Sequence, residues 1–186
     1  MPILRLSFAL LCAAGLTAGV SAQTKLRPGL WEIQATMKTG SGKMEAAMAQ
    51  MRQQLATMPP AQRQQMEQML AQQGMSLPAA DGSQKIKVCM RQEDVDLERL
   101  PSQEGCTQKI KRTSTNTLHM TFQCRGDRGQ GPSTGEGTVT LNSPTAYTGE
   151  YRMQIKDKGN PEAMDMRQQG RWLGADCGGI KPMVER

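Results

Sequence analysis

Histidine is almost missing from this chain. His119 is the only one among 186 residues, and its scarcity removes most arrangements that use imidazole as base, proton shuttle or metal ligand. A Ser-His-Asp triad needs a histidine between a nucleophile and an orienting acid. Here His119 takes the polar side of a two-residue alternation in which Leu118 and Met120 take the apolar side, and Ser114 and Ser133 lie in turn-like or loop sequence. Phosphate-cradling signatures are missing too. Neither GxxxxGK[ST] nor GxGxxG in a strand-to-helix setting occurs. No CxxC pair suggests zinc, and no basic block interleaved with aromatics suggests nucleic acid. Glu32, Glu136 and Glu150 are the carboxylates with which glycosidic chemistry would have to work, but their spacing does not pair them. The expectation is a non-enzymatic protein without catalytic residues, metal or cofactor.

Long apolar runs are confined to the start. Arg5 followed by the apolar stretch Leu6 to Ala18 and the small residues Val20-Ser21-Ala22 read as a cleavable export signal over residues 1–22. The stretch is too short to span a bilayer, and no second one follows, so no transmembrane span is expected after cleavage. Leu11 before Cys12 is not the small residue of a lipoprotein site. Removing Arg5 with the leader leaves 22 basic and 17 acidic residues, a net charge of +5. These charges are interspersed, as on a solvated surface. Residues 23–186 are enough for one domain, but they hold only about twenty Leu, Ile, Val and Phe residues. A core so thin leaves stability dependent on crosslinks.

Cysteine supplies them. Cys89, Cys106, Cys124 and Cys177 remain after cleavage, an even count that in an exported chain implies two disulfides. Leu118, Met120, Phe122 and Cys124 recur at every second residue, the period of a strand with one buried face. Folding the segment about Thr115 sets Cys106 directly opposite Cys124 and Ile110 opposite Met120, within disulfide reach of an antiparallel pair. This favours Cys106–Cys124 with Cys89–Cys177. The sequential pairing, Cys89–Cys106 with Cys124–Cys177, stays open.

Around this clamped hairpin the chain reads as strands. Trp31, Ile33, Ala35 and Met37 alternate with polar residues, and Trp31 is placed at one end of the core. Ile86, Val88 and Met90 point inward from a second strand with Cys89 on the other face. Glu93 to Leu100 reads as a charge-balanced helical turn ended by Pro101, and Gly126 to Gly137, with five glycines and Pro132, as a mobile connection. A short strand at Thr138–Leu141, a clear two-faced strand from Thr145 to Lys156 and a last one at Met164–Leu173, with Met166 and Trp172 on one face, follow the turns Asn142-Ser143-Pro144 and 157–161. Short connections demand antiparallel pairing. The expected fold is mainly β, a curled antiparallel meander forming a half-barrel or sandwich.

Residues 43–74 interrupt it. Met44, Met48, Met51, Leu55 and Met58 step by 4, 3, 4 and 3, one stripe along a helix. Pro59-Pro60 stops it, Thr57 is placed to cap a second helix, Met66, Met69 and Leu70 continue a stripe, and Gly74 ends it. The pattern predicts a Met-rich helical hairpin. Its thioethers present a flexible apolar face, with Cu(I) binding at Met48/Met51 and Met66/Met69 the alternative chemistry.

Arg27-Pro28-Gly29-Leu30-Trp31-Glu32, the insertion Met58-Pro59-Pro60-Ala61-Gln62-Arg63, the lone Cys89, the Cys106 and Cys124 pair, Tyr147-Thr148-Gly149 and Leu173-Gly174-Ala175-Asp176-Cys177 resemble an exported proteobacterial family known as domain of unknown function 3617. The resemblance spans nearly the whole mature chain and implies a periplasmic location. It carries over no catalytic or binding residue. The reading that results is a periplasmic binding module for an apolar small molecule, held between the sheet and a helical lid. Met44, Met48, Met51, Leu55, Met58, Met66 and Met69 form its ligand or partner face together with Trp31 and Trp172. The alternative is an envelope factor that docks another protein through the same Met stripe.

Overall fold

A computed structural model describes residues 24–182 except 80, 101, 103, 127–130 and 158–159. The export signal, the Pro101 stop, the Lys158-Gly159 turn and the middle of the glycine-rich connection lie outside the described residues. Seven strands form one antiparallel sheet: β1 (Gly29–Thr39), β2 (Gln84–Met90), β3 (Cys106–Arg112), β4 (Thr117–Cys124), β5 (Ser133–Ser143), β6 (Ala146–Asp157) and β7 (Asn160–Gly174). Their spatial order is β2-β1-β7-β6-β5-β4-β3. From β3 to β7 the chain is a meander. β1 then pairs with β7, and β2 extends the sheet beyond β1. β2 and β3 are the edges, so the sheet is a single open layer rather than a sandwich or a closed barrel.

The clamp takes the register that its alternation dictates. Cys106 stands opposite Cys124 and Ile110 opposite Met120. Both disulfides of the non-sequential pairing are present, Cys106–Cys124 with Cα atoms 4.0 Å apart and Cys89–Cys177 at 5.5 Å. The second ties the C-terminal tail to β2.

The apolar faces of β1, β2, β4, β5 and β6 meet in one cluster built on Trp31, Ile33, Val88, Leu118, Leu141 and Tyr147. Val95 and Leu26 cap that cluster from outside the strands. The entry segment is fixed by its own tryptophans. Trp31 is 0% exposed and donates its indole N–H to Arg27 O (2.9 Å), while Trp172 donates to Pro28 O (3.0 Å). The Arg27 guanidinium lies 4.9 Å from the Trp172 ring centre, a cation–π contact. Gly29 between them has φ 128°, and a side chain there would come within 2.9 Å of the Trp172 indole nitrogen. The local sequence Arg-Pro-Gly-Leu-Trp is thus a folding element.

Three expectations need correction. The connection from Gly126 to Gly137 is shorter than its glycines suggest, because β5 begins at Ser133. Gly135 and Gly137 are strand positions whose missing side chains make room for rings on neighbouring strands. Thr57 does not cap the second helix. It ends α1 (Lys43–Thr57), donating its hydroxyl to Gln54 O, while Pro59 takes the cap position of α2 (Pro60–Gln72) with Pro60 in the first turn. The Glu93–Leu100 segment narrows to one 3-10 turn, Leu97–Arg99, preceded by an Arg91–Asp94 pair at 3.0 Å.

Candidate functional site

The apolar face of the sheet has two halves. One is the core just described. In the other, strand registry gathers Met37, Met120, Phe122, Tyr151, Met153, Met164 and Met166 on the same side of β1, β7, β6, β5 and β4. Met37 stands directly opposite Met166, Met166 opposite Tyr151, Met153 opposite Met164, and Phe122 opposite Gly135. Residues opposed in an antiparallel pair project to the same face. Met37 is 41% exposed and the others are half-buried.

Glycines make the floor of this half. A side-chain carbon at Gly135 would lie 2.5 Å from the Phe122 ring, and one at Gly137 would collide with the Tyr151 ring. The rings therefore lie down on the sheet instead of standing away from it. Tyr151 is held there by Gln168, whose amide donates to the phenol oxygen at 2.8 Å. Burial pushes the Tyr151 phenol up to about 12, and the Gln168 bond pulls the other way.

The lower rim is acidic. Thr39, opposite Met164, donates both its backbone N–H and its hydroxyl to the Glu45 carboxylate at 2.7 Å. Glu162 accepts from the Ser41 N–H at 2.9 Å. The Thr39 bonds hold Glu45 below the usual carboxylate range, and the Ser41 bonds do the same for Glu162.

The opposite face of the sheet is polar. A shallow trough of about 1020 Å³ crosses β3 to β7 among Lys109, Thr121, Gln123, Glu136, Arg152 and Asp165, and a second of about 460 Å³ lies beside Lys38, His119, Glu150 and Arg167. Of the carboxylates considered for glycosidic chemistry, Glu136 and Glu150 line the second trough together, diagonal across β5 and β6, while Glu32 lies apart on β1. Glu150 pairs with Arg167 at 3.4 Å and Glu32 with Arg171 at 3.0 Å. His119 lines the second trough, on the face away from Leu118, as its alternation requires. Among the described residues no group of three or more His, Cys, Asp or Glu is placed to hold a metal, and no helix is long and apolar enough to cross a membrane.

The methionine hairpin does not roof either trough, since no residue of α1 or α2 lines them. Neither helix has a buried residue. Met44, Met48, Leu55, Met58 and Met66 are half-buried, whereas Met51 is 39% and Met69 63% exposed. A hollow of about 670 Å³ beside the hairpin is lined by Arg52, Leu55, Pro60, Arg63, Leu77 and Pro78, without a methionine. Trp31 is enclosed in the core and Trp172 is engaged with Arg27 and Pro28. Sequence reasoning found the helical stripe because its period is local. It missed the sheet methionines as a group because residues 37, 120, 153, 164 and 166 come together only through registry.

A protein from Pseudomonas putida described as "Uncharacterized protein in lpd-3 5'region" is 34% identical to this chain over 125 residues, covering 66% of this chain and 85% of that protein. No solved structure matches the chain significantly. The family model of DUF3617, described as a protein of unknown function, matches residues 26–177. The chain therefore belongs to the DUF3617 family.

Proposed function

We propose that this chain is an exported, periplasmic, non-enzymatic protein that binds an apolar small molecule on the open half of its sheet. One observation carries the reading. Met37, Met120, Phe122, Met153, Met164 and Met166 form a contiguous apolar surface over a glycine floor, and none of the six belongs to the core cluster or to the hydrophobic residues packed against it. Methionine is the side chain that adapts to irregular apolar partners. Five strands at ~4.8 Å spacing and about four residues at ~3.3 Å give a surface of roughly 250 Å². That is well under the ~800 Å² a protein partner of standard size covers, so a small molecule suits it better. Two disulfides and an apolar leader sequence agree with export.

The test is titration with a neutral fluorescent naphthylamine, followed by displacement with fatty acids and other lipids. Saturable binding that Met153→Lys and Met120→Glu weaken supports the site. No saturable binding by the folded protein overturns it.

A second reading rests on the hairpin. Its helices bury no residue and present Met51 and Met69 to solvent, which suits an arm that docks an envelope protein. Crosslinking in cells should then yield a discrete adduct that Met51→Glu/Met69→Glu abolishes; unchanged adducts exclude the arm.

A further inference from the structure

Four thioethers, from residues 37, 153, 164 and 166, are brought to one patch of the sheet by three strands. Met37 and Met166 face each other across β1 and β7, Met153 and Met164 across β6 and β7, and Met164 and Met166 are next neighbours on the same side of β7. Opposed side chains start with Cβ atoms ~4.5–5.5 Å apart, and methionine has three rotatable bonds beyond that point. Convergence of three sulfurs on one centre therefore needs rotamer changes and no backbone movement.

We propose that Met37, Met153, Met164 and Met166 form a binding site for a soft monovalent cation of the Cu(I) or Ag(I) class. Neutral thioethers discriminate for such ions and against the hard, strongly hydrated divalent cations. The surroundings act in the same direction. Tyr151 stands opposite Met166, and its ring lies flat beside the cluster over Gly137, so the sulfurs sit in an apolar setting that excludes water on one side. The Glu45 carboxylate, bonded to Thr39 opposite Met164, and the Glu162 carboxylate two residues along β7 supply negative charge at the rim. No change of oxidation state is involved. The cation binds by replacing water and solution ligands with sulfur.

The site differs from any on the hairpin. Met48 and Met66 are half-buried while their i+3 partners Met51 and Met69 are exposed, and the two pairs lie on separate helices. It shares its four methionines with the apolar surface of the proposed function but uses their sulfur donors rather than their apolar area. Leucine in place of methionine keeps the surface apolar and removes the donor.

The experiment uses the oxidised, folded chain. Ag(I) is titrated into protein carrying 13C-methyl methionine and followed by NMR, and Cu(I) affinity is measured anaerobically against a chromophoric chelator. One equivalent of Ag(I) should shift the methyl signals of Met37, Met153, Met164 and Met166 and leave those of Met51 and Met69 in place. Met153→Leu/Met164→Leu/Met166→Leu should lower Cu(I) affinity by at least about tenfold, with the melting temperature retained. Shifts confined to the helix methionines, or affinity unchanged in the triple variant, overturn the site. So does binding no tighter than that of an unstructured methionine peptide. If the triple variant fails to melt cooperatively, Met166→Leu alone decides the question by the same two readouts.

Discussion

Gly170 of β7 stands directly opposite Tyr147 of β6, and the Tyr147 ring occupies the space that a side chain at 170 would fill. Through that gap Tyr147 reaches Trp31 on β1, with ring centres 5.6 Å apart, although β7 lies between their strands. Gly170→Ala should therefore push the Tyr147 ring off the core. Overpacking of this kind costs about 1–3 kcal/mol, read as a lowered denaturation midpoint. Tyr147→Leu in the same background should recover part of the loss, because the two residues are coupled. Strictly additive effects of the two substitutions would disprove the contact as the cause.

The two disulfides should differ in weight. Cys106–Cys124 closes 18 residues and Cys89–Cys177 closes 88. Chain-entropy arithmetic gives ~3 kcal/mol for the first and ~4.6 for the second. With a core of nine buried hydrophobic residues among those described, both matter. Replacing the Cys89/Cys177 pair by alanine should lower the melting temperature more than replacing Cys106/Cys124. The reverse order would show that the hairpin clamp, not the tail strap, limits unfolding.

Much of the fold was legible because its signals are local. The alternation from Leu118 to Cys124 places Cys106 against its partner, and the 4-3-4-3 steps of the methionines give α1. Gly135 and Gly137 misled for an equally physical reason. Glycine in isolation signals a loop, whereas here it answers rings at Phe122 and Tyr151 that lie distant in sequence. The sheet methionines had the same fate. Met37 and Met166 are 129 positions apart and become neighbours only because β1 pairs with β7, a long-range choice that no local period encodes.

The tyrosines offer a spectroscopic check of that packing, since Tyr147 and Tyr151 are the only two in the chain. Burial pushes Tyr151 up to about 12 and raises Tyr147 further, with repulsion from Tyr151 a lesser cause. In the unfolded chain both phenols ionise near pH 10. A raised folded value means that the stability these phenols contribute is intact below pH 10 and is lost as pH climbs from 10 through 12. The native protein should show no phenolate absorbance step at pH 10, and the step should appear together with unfolding at higher pH. Tyr151→Phe should shrink the alkaline loss. A reversible step near pH 10 in the folded state would contradict the buried placement of both rings.

The hairpin is the part whose removal should cost least. Neither α1 nor α2 buries a residue. The chain that returns from it is fastened to β2 by its own bonds, Lys87 N–H to Gly74 O and Ser76 N–H to Lys85 O, while Ser83 is fixed by Gln34 and Asp81. Replacing residues 43–72 with a flexible Gly/Ser linker of about ten residues, which spans ~17 Å on average, keeps all of these and loses only the Glu45 contacts to Thr39 among the bonds to β1. The shortened protein should keep its strand signal in circular dichroism and lose its helical one. Its melting temperature should fall by no more than about 5 °C, the scale of one lost surface cap in a domain of this size. Naphthylamine binding should survive, and Cu(I) binding should fall no further than it does in Glu45→Gln of the full chain, since the residues that hold both ligands lie on the sheet. Loss of either ligand from a folded, hairpin-deleted protein would return the binding face to the helices.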